Sequence, residues 1–278
     1  MGDPRQPPTG SRAGHVTHRW RRVAAGILAS VMAAGHNPIS AQERPRTGAV
    51  PWAAGEYLEY SLKVGPIPAG SGRMQVVGRD TLRGRPVWRF RFDFSGGMGF
   101  LRVDDAYDSW LDAETLRSLK FEQRLSELGK YRHRVYQIFP DRAKYQLNNE
   151  SERESVADPL DDASFFFFLR TIPLEVGKSY DFNRYFDNRA NPVTIRVLRR
   201  DTVEVPAGRF PAIVLQPMIK TNGIFAEGGH AELWLSDDER RILIQMKSKL
   251  PFGSLNLYLR KLTLPPLVPA DAAHPTRK

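Results

Sequence analysis

Two histidines and three acidic clusters are the side chains of this sequence that could carry acid–base or metal chemistry. Histidine can act as a general base near neutral pH or bind a metal through its neutral ring. Clustered carboxylates can bind calcium or, as a pair across a cleft, cleave a glycosidic bond. The residues in question are His133 and His230, then Asp104, Asp105 and Asp108, then Asp158, Asp161 and Asp162, and finally Asp237, Asp238 and Glu239.

The spacing of these residues matches no known catalytic or metal motif. The sequence contains neither H-E-x-x-H nor His-x-His, and no acidic cluster has the alternating pattern of a calcium loop. It also lacks a G-x-S-x-G nucleophile elbow and a G-x-G-x-x-G phosphate loop. We therefore predict no catalytic residue, no metal site and no cofactor, and we expect the protein not to be an enzyme. A hydrolase of envelope polymers stays an alternative, which would need two carboxylates or a His–carboxylate pair to meet in a pocket.

One helix is predicted within the stretch from Asp158 to Leu174. It contains four consecutive phenylalanines, Phe165 to Phe168, which point nearly all round a helix and so must be buried on several sides. Asp158, or one of Asp161 and Asp162, can cap its N-terminus, and Pro173 is expected to end it. The acidic residues before the phenylalanines are thus interpreted as a helix cap.

Between its two ends, the rest of the chain has the alternating apolar and polar pattern of β-strands. Phe90, Phe92 and Phe94 share one face with Trp88, and short polar turns separate successive strands. We predict an all-β, mainly antiparallel fold: a large sheet of roughly a dozen strands, curled into a barrel or half-barrel, with one short helix packed at or in it. Residues 51–264 are expected to form a single domain.

The two termini are expected to lie outside that domain. A basic cluster precedes the apolar run from Val23 to Gly35, which is shorter than the roughly 20 residues that span a bilayer. Residues 1–41 are therefore predicted to be a signal peptide cleaved after Ala41. Residues 42–50 are predicted to be a flexible lead-in and 265–278 a disordered tail. The chain has no cysteine and hence no lipid-modified cysteine, so we expect a soluble exported protein of the periplasm or the extracellular space.

The charge of the chain argues against a nucleic-acid partner. Removal of the predicted leader, with five Arg and one Asp, lowers the formal charge from +10 to +6. The remaining basic residues are dispersed over strands, as between Lys130 and Arg134, and form no block of like charge. A solvated sheet face explains this pattern.

Several short motifs stand in a fixed order along the chain. They are Trp52 to Tyr60, Gly65 to Gly70, Asp162 to Ser164 with Leu169 and Arg170, Val205 to Phe210, and Glu232 to Ser236 with Asp238 and Arg241. Together they resemble the motifs of the exported bacterial proteins grouped as domain of unknown function 3108. The resemblance implies a cell-envelope location and a β-rich domain, without an assigned activity or catalytic residues. The architecture also looks like that of periplasmic lipid and lipoprotein carriers, a likeness that does not fix function.

The density of aromatic residues suggests a function. We expect a non-enzymatic binder of an apolar or amphipathic ligand such as a lipid, held between the sheet and the helix. An envelope assembly protein that contacts another protein or a polysaccharide is an alternative, and the phenylalanines could equally form a solid core. The predicted ligand-lining residues are Trp88, Phe90, Phe165, Phe166 and Phe168.

Overall fold

The computed structural model describes residues 50–98, 101–127, 129–219, 231–250 and 253–267. The predicted signal peptide with Ala41, most of the lead-in, His230 and residues 268–278 lie outside these ranges. Within the described ranges the chain forms one α-helix, α1 (Asp162–Leu169), and fourteen strands. The strands are β1 (Tyr57–Val64), β2 (Ile67–Leu82), β3 (Arg85–Met98), β4 (Leu101–Asp112), β5 (Ser118–Glu127), β6 (Lys130–Phe139), β7 (Lys144–Leu147), β8 (Arg153–Glu154), β9 (Ser179–Phe182), β10 (Val193–Val205), β11 (Gly208–Ile219), β12 (Glu232–Ser236), β13 (Leu243–Leu250) and β14 (Gly253–Thr263).

All fourteen strands belong to one antiparallel sheet made of two meanders. Its order is β8-β7-β6-β5-β4-β3-β2-β1-β14-β13-β12-β11-β10-β9, so β1 and β14 join the two meanders at the centre. There Tyr60 lies opposite Leu259 of β14 and Gly72 of β2. Strands β8 and β9 are the two edges, and the sheet is not closed by hydrogen bonds between them. The predicted all-β curled sheet with one short helix is confirmed.

Two glycine-rich segments lie partly inside strands. Strand β2 runs through Gly70 and β3 runs through Gly96, which face each other. A Cβ atom on Gly70 would lie 2.2 Å from the Ser95 carbonyl oxygen, and one on Gly96 would lie 2.0 Å from that of Ala69. The absence of a side chain at these glycines therefore permits a close approach of the two strands.

Residues between β8 and β9, and those after β9, fill the gap between the two sheet edges. Strand β9 ends at Phe182, and the chain then crosses to the opposite edge. There the Phe186 ring lies 5.1 Å from that of Tyr136 in β6 and 5.1 Å from that of Tyr145 in β7. Side-chain packing thus joins the segment after β9 to strands β6 and β7 near the other edge of the sheet.

The helix begins with a capping box and ends earlier than predicted. The Asp161 carboxylate accepts hydrogen bonds from the Ala163 and Ser164 amides, and the Ser164 hydroxyl accepts one from the Asp161 amide. The last helical residue is Leu169, so Pro173 does not end the helix. Instead the Arg170 amide donates to the Phe167 and Phe168 carbonyls, which tightens the final turn. No helix in the described residues is long and apolar enough to span a membrane.

Candidate ligand-binding face

The helix packs on the concave face of the sheet through one ring stack. The Phe167 ring lies parallel to that of Phe90, with centroids 3.7 Å apart. The Trp52 indole meets both rings edge-on, at 5.6 Å from Phe90 and 5.5 Å from Phe167. Trp88 contacts Trp52 in the same way at 6.2 Å. We call Trp52, Trp88, Phe90 and Phe167 the floor cluster, and all four side chains are buried.

The other side of the helix is packed just as densely. Phe165 and Phe168 are buried, and the Phe168 ring meets that of Phe182 edge-on at 5.2 Å. The Arg184 guanidinium covers the outer face of the Phe168 ring at 4.5 Å. Trp88, Phe90, Phe165 and Phe168, four of the five predicted ligand-lining residues, thus lie in close-packed core. Ligand contact by these four stays a prediction.

Phe166 differs from its three phenylalanine neighbours because it is partly exposed. It points from the helix toward Phe92 of β3, with ring centroids 5.7 Å apart. Phe92 lies opposite Tyr107 of β4, and the Tyr107 ring is 6.2 Å from that of Phe94. Phe94 and Tyr107 are also partly exposed. An apolar surface therefore continues beyond the buried floor.

Leu62 extends this surface across the centre of the sheet. It lies opposite Leu257 of β14, and it is partly exposed. Between Leu257 and Phe94 stands Gly72, where an added Cβ would lie 3.2 Å from the Phe94 ring and 3.6 Å from Leu257. The absence of a side chain at Gly72 leaves room for both neighbours. We call Leu62, Phe94, Tyr107 and Phe166 the rim patch.

Polar groups adjoin the rim patch on the same concave face. Asp105 is buried and accepts hydrogen bonds from the Ser126 amide at 3.0 Å and from the Tyr107 hydroxyl at 3.4 Å. Arg134 and Gln123 lie opposite each other on β6 and β5, on the face that carries Tyr136 and Phe121. The concave face therefore presents rings with polar groups beside them, an arrangement that suits an amphipathic molecule.

An ion pair that sequence reasoning missed anchors the C-terminal end of the helix. The Arg170 guanidinium donates to the two Glu56 carboxylate oxygens at 2.6 and 3.0 Å, and to the Pro51 and Arg240 carbonyls. The Arg170 and Glu56 side chains are only 3% and 2% exposed. Both residues belong to the sequence motifs quoted above, but their pairing joins distant parts of the chain and has no local pattern. This network ties the start of the domain to the helix.

The N-terminal end of the helix is held by two carboxylates, of which Asp161 is buried and Asp162 is partly buried. The Ser109 hydroxyl donates to Asp161 at 2.7 Å, and burial raises the pKa of Asp161 although this and other hydrogen bonds lower it. The Tyr185 hydroxyl donates to Asp162 at 2.8 Å. Burial raises the pKa of Asp162 to about 7, against the opposing effect of that hydrogen bond. These aspartates serve the helix terminus, as the sequence predicted.

The other residues singled out for chemistry lie apart from the concave face. His133 is exposed on β6, and its Nε2 lies 3.0 Å from Glu122. Asp108 is buried between Arg89 and Arg124. Asp238 accepts hydrogen bonds from the Arg240 and Arg241 amides in the turn between β12 and β13. Among the described residues, no three His, Asp or Glu side chains are grouped as a metal site would need.

Fold and site together define an open, β-barrel-like sheet with a helix on its concave face. The chain belongs to DUF3108, a family of proteins of unknown function, whose pattern matches residues 59–260. This confirms the resemblance drawn from the sequence motifs. No curated protein matches the chain.

The fold resembles that of solved structures with little sequence identity to this chain. A β-barrel-like DUF1849 protein from Brucella abortus is 13% identical with a TM-score of 0.51, covering 77% of this chain and 99% of that chain. This likeness concerns the fold alone. A Bacteroides fragilis protein with a YmcC-like fold is 12% identical with a TM-score of 0.31, covering 78% of this chain and 99% of that chain. At that score it carries no argument about function.

Proposed function

We propose that this protein is a non-enzymatic, exported binder of an apolar or amphipathic ligand, and that the ligand lies on the rim patch. The observation that carries the proposal is the partial exposure of Leu62, Phe94, Tyr107 and Phe166 on a concave face whose floor cluster is buried. Contact with an acyl chain would remove these side chains from water, at about 25 cal/mol for each Å² of apolar surface.

The titratable groups of the concave face support a binding role. Asp161 and Asp162 cap and flank the helix, and Asp105 accepts hydrogen bonds from Ser126 and Tyr107. A general base needs a reactive partner within hydrogen-bond reach, with a third group that orients it. These carboxylates are instead engaged in structural contacts. Export is inferred from the leader at residues 1–41, which places the ligand among the components of the cell envelope.

Native mass spectrometry after mild purification, followed by lipid extraction, tests the proposal. The mature chain should carry or take up an acyl compound, so that a mass above that of the polypeptide disappears on extraction. A fluorescent fatty acid should then bind the delipidated protein with fluorescence enhancement. A protein that neither retains lipid nor binds the fatty acid would refute the proposal.

Two substitutions locate the binding surface. Phe94→Gln should weaken fatty-acid binding about tenfold, because it removes a ring from the centre of the rim patch. The matched control is Val77→Gln, since Val77 is 40% exposed and lies outside the rim patch. Circular dichroism should confirm that both variants are folded. Equal weakening by both substitutions would place the ligand elsewhere.

A further inference from the structure

A groove lies on the convex side of the sheet, on the face opposite the rim patch. Its volume is about 390 Å³, within the range of small-molecule sites. It crosses four neighbouring strands, β1 to β4, which corresponds to a width of roughly 14 Å. We call this surface the outer groove. Its lining residues are Tyr57, Ser71, Arg73, Gln75, Arg91, Asp93, Ser95 and Asp104.

Strand alternation places the outer groove on the face that points away from the helix. Ser71, Arg73 and Gln75 alternate along β2 with the buried residues Gly72, Met74 and Val76. On β3, Arg91 and Asp93 alternate in the same way with the aromatic residues of the concave face. A ligand of the outer groove would thus be separate from one on the rim patch.

The register of the strands brings complementary polar groups together. Arg73 lies opposite Asp93, and Gln75 lies opposite Arg91 on β3 and Tyr57 on β1. Asp104 of β4 lies opposite Ser95 of β3, which in turn lies opposite Ser71. The side chains of Ser71 and Ser95 are short, so the groove is deepest there, between the longer arginine and glutamine side chains. No local sequence pattern reveals this set of residues, because they come from four different strands.

Much of the hydrogen-bonding capacity of the outer groove is available to a ligand. Arg91 and Asp93 pair with each other, with Nε 3.2 Å from the carboxylate. Within the part of the chain that the structure describes, no hydrogen bond or ion pair engages the side chains of Arg73, Gln75 and Asp104. Arginine only donates, aspartate only accepts, and glutamine does both. The groove therefore offers donors and acceptors side by side.

The charge balance selects the class of ligand. Two arginines and two aspartates line the groove, so their formal charges cancel. An anion such as phosphate would meet Asp93 and Asp104 as well as the arginines, and a cation would meet the arginines. A neutral polyhydroxyl compound can donate to the carboxylates and accept from the guanidinium groups at the same time. Tyr57 adds a ring with an apolar face and a polar tip.

From these observations we infer that the outer groove binds a neutral saccharide. The site is independent of the proposed function at the rim patch. Because the groove is open to solvent, the complex should be weak and should exchange rapidly. The sugar would lie across β1 to β4, with its hydroxyl groups on Arg73, Gln75 and Asp104 and one ring face on Tyr57.

Saturation-transfer NMR on the mature protein, followed by titration, tests this inference. The probes are cellotriose, maltotriose, mannotriose and chitotriose as neutral saccharides, with inorganic phosphate and glucuronate as anionic competitors. At least one neutral trisaccharide should receive saturation from the protein, and neither anion should displace it. Absence of transfer to all four trisaccharides, or displacement by phosphate or glucuronate, would overturn the inference.

Substitutions in the outer groove locate the binding. Arg73→Ala and Asp104→Asn should each weaken trisaccharide binding about tenfold or more, because each removes the charged partner of a hydrogen bond. Both side chains are exposed, so these variants should fold. Arg200→Ala is the matched control, since Arg200 is an exposed arginine on β10 in the other meander. Equal weakening by Arg200→Ala would overturn the assignment to this groove.

Discussion

The floor cluster and the rim patch lie on the same concave face but differ in how completely their side chains are buried. In the floor cluster each ring meets other rings, and the adjacent Arg170–Glu56 pair leaves neither side chain more than 3% exposed. In the rim patch, aromatic and aliphatic side chains of similar type are partly exposed. The comparison suggests that the floor holds the fold together, whereas the rim retains surface for a ligand.

Adjacent helix positions illustrate the difference. Phe166 and Phe167 are neighbours in sequence, yet Phe167 stacks on Phe90 at 3.7 Å and Phe166 lies beside Phe92 at 5.7 Å with part of its ring exposed. One turn of helix therefore contributes to both regions. Variants at the two regions should separate stability from binding.

The largest effect is expected from Arg170→Met. This substitution removes both short hydrogen bonds from the buried Glu56 carboxylate and leaves it only the Arg240 guanidinium, at 3.9 Å. The loss costs about 3–5 kcal/mol of unfolding free energy. Urea denaturation followed by circular dichroism measures the loss. Arg260→Met is the matched control, because Arg260 pairs with Glu59 but is 49% exposed, and its loss should cost less than about 1 kcal/mol. Similar losses for both variants would contradict the structural role of the floor.

The second prediction compares Phe167→Ala with Phe166→Ala. Removing the Phe167 ring leaves a cavity against Phe90 and Trp52 and should cost about 3–4 kcal/mol. Phe166→Ala should cost less than about 2 kcal/mol, since part of that ring is already in water, but it should weaken fatty-acid binding. Urea titrations and fluorescence titrations measure the two properties. Equal stability losses would remove the distinction between floor and rim.

The third prediction concerns pH and the start of the helix. The pKa of Asp162 is about 7 in the folded protein and about 4 in an unfolded chain. Between these pH values the folded state binds more protons than the unfolded chain, so stability falls as pH rises. The stabilisation by the protonated Asp162 carboxyl is therefore complete below about pH 4 and is lost as pH rises through about 7. Asp162→Asn should remove this loss and be more stable than the natural protein at pH 8, by on the order of 2 kcal/mol.

Urea denaturation at pH 4.5, 6 and 8 checks this prediction. Two other groups bear on its interpretation. Burial raises the pKa of Asp161 as well, so the variant should keep some of the pH dependence. Burial alone would raise the pKa of Glu122, but hydrogen bonds from Lys120 and His133 lower it to about 2. Titration of Glu122 therefore changes the stability only at more acidic pH. A stability difference that is the same at pH 4.5 and pH 8 would contradict the assignment.

Local patterns in the sequence predicted much of this architecture. Alternation identified most strands, and four adjacent phenylalanines after a run of aspartates identified a buried, capped helix. The extent of β2 and β3 was not predictable, because glycine in a strand has the same local signature as glycine in a turn. Its role at Gly70 and Gly96 depends on how closely another strand approaches.

The candidate sites were harder to predict for a related reason. The Arg170–Glu56 pair and the outer groove combine residues that are far apart in sequence, and no local spacing reveals them. Among the four phenylalanines, the distinction between Phe166 and its neighbours depends on the orientation of the helix on the sheet. Periodicity cannot supply that orientation when all positions are apolar.

The rim patch as a binding surface is tested most directly by photo-crosslinking. A diazirine-bearing fatty acid is bound to the mature protein and irradiated, and the labelled peptides are identified by mass spectrometry. The account predicts labels on β1, β3 and β4 at or beside Leu62, Phe94 and Tyr107, with competition by unlabelled fatty acid. Labels confined to the convex face, or labels that unlabelled fatty acid does not reduce, would contradict it.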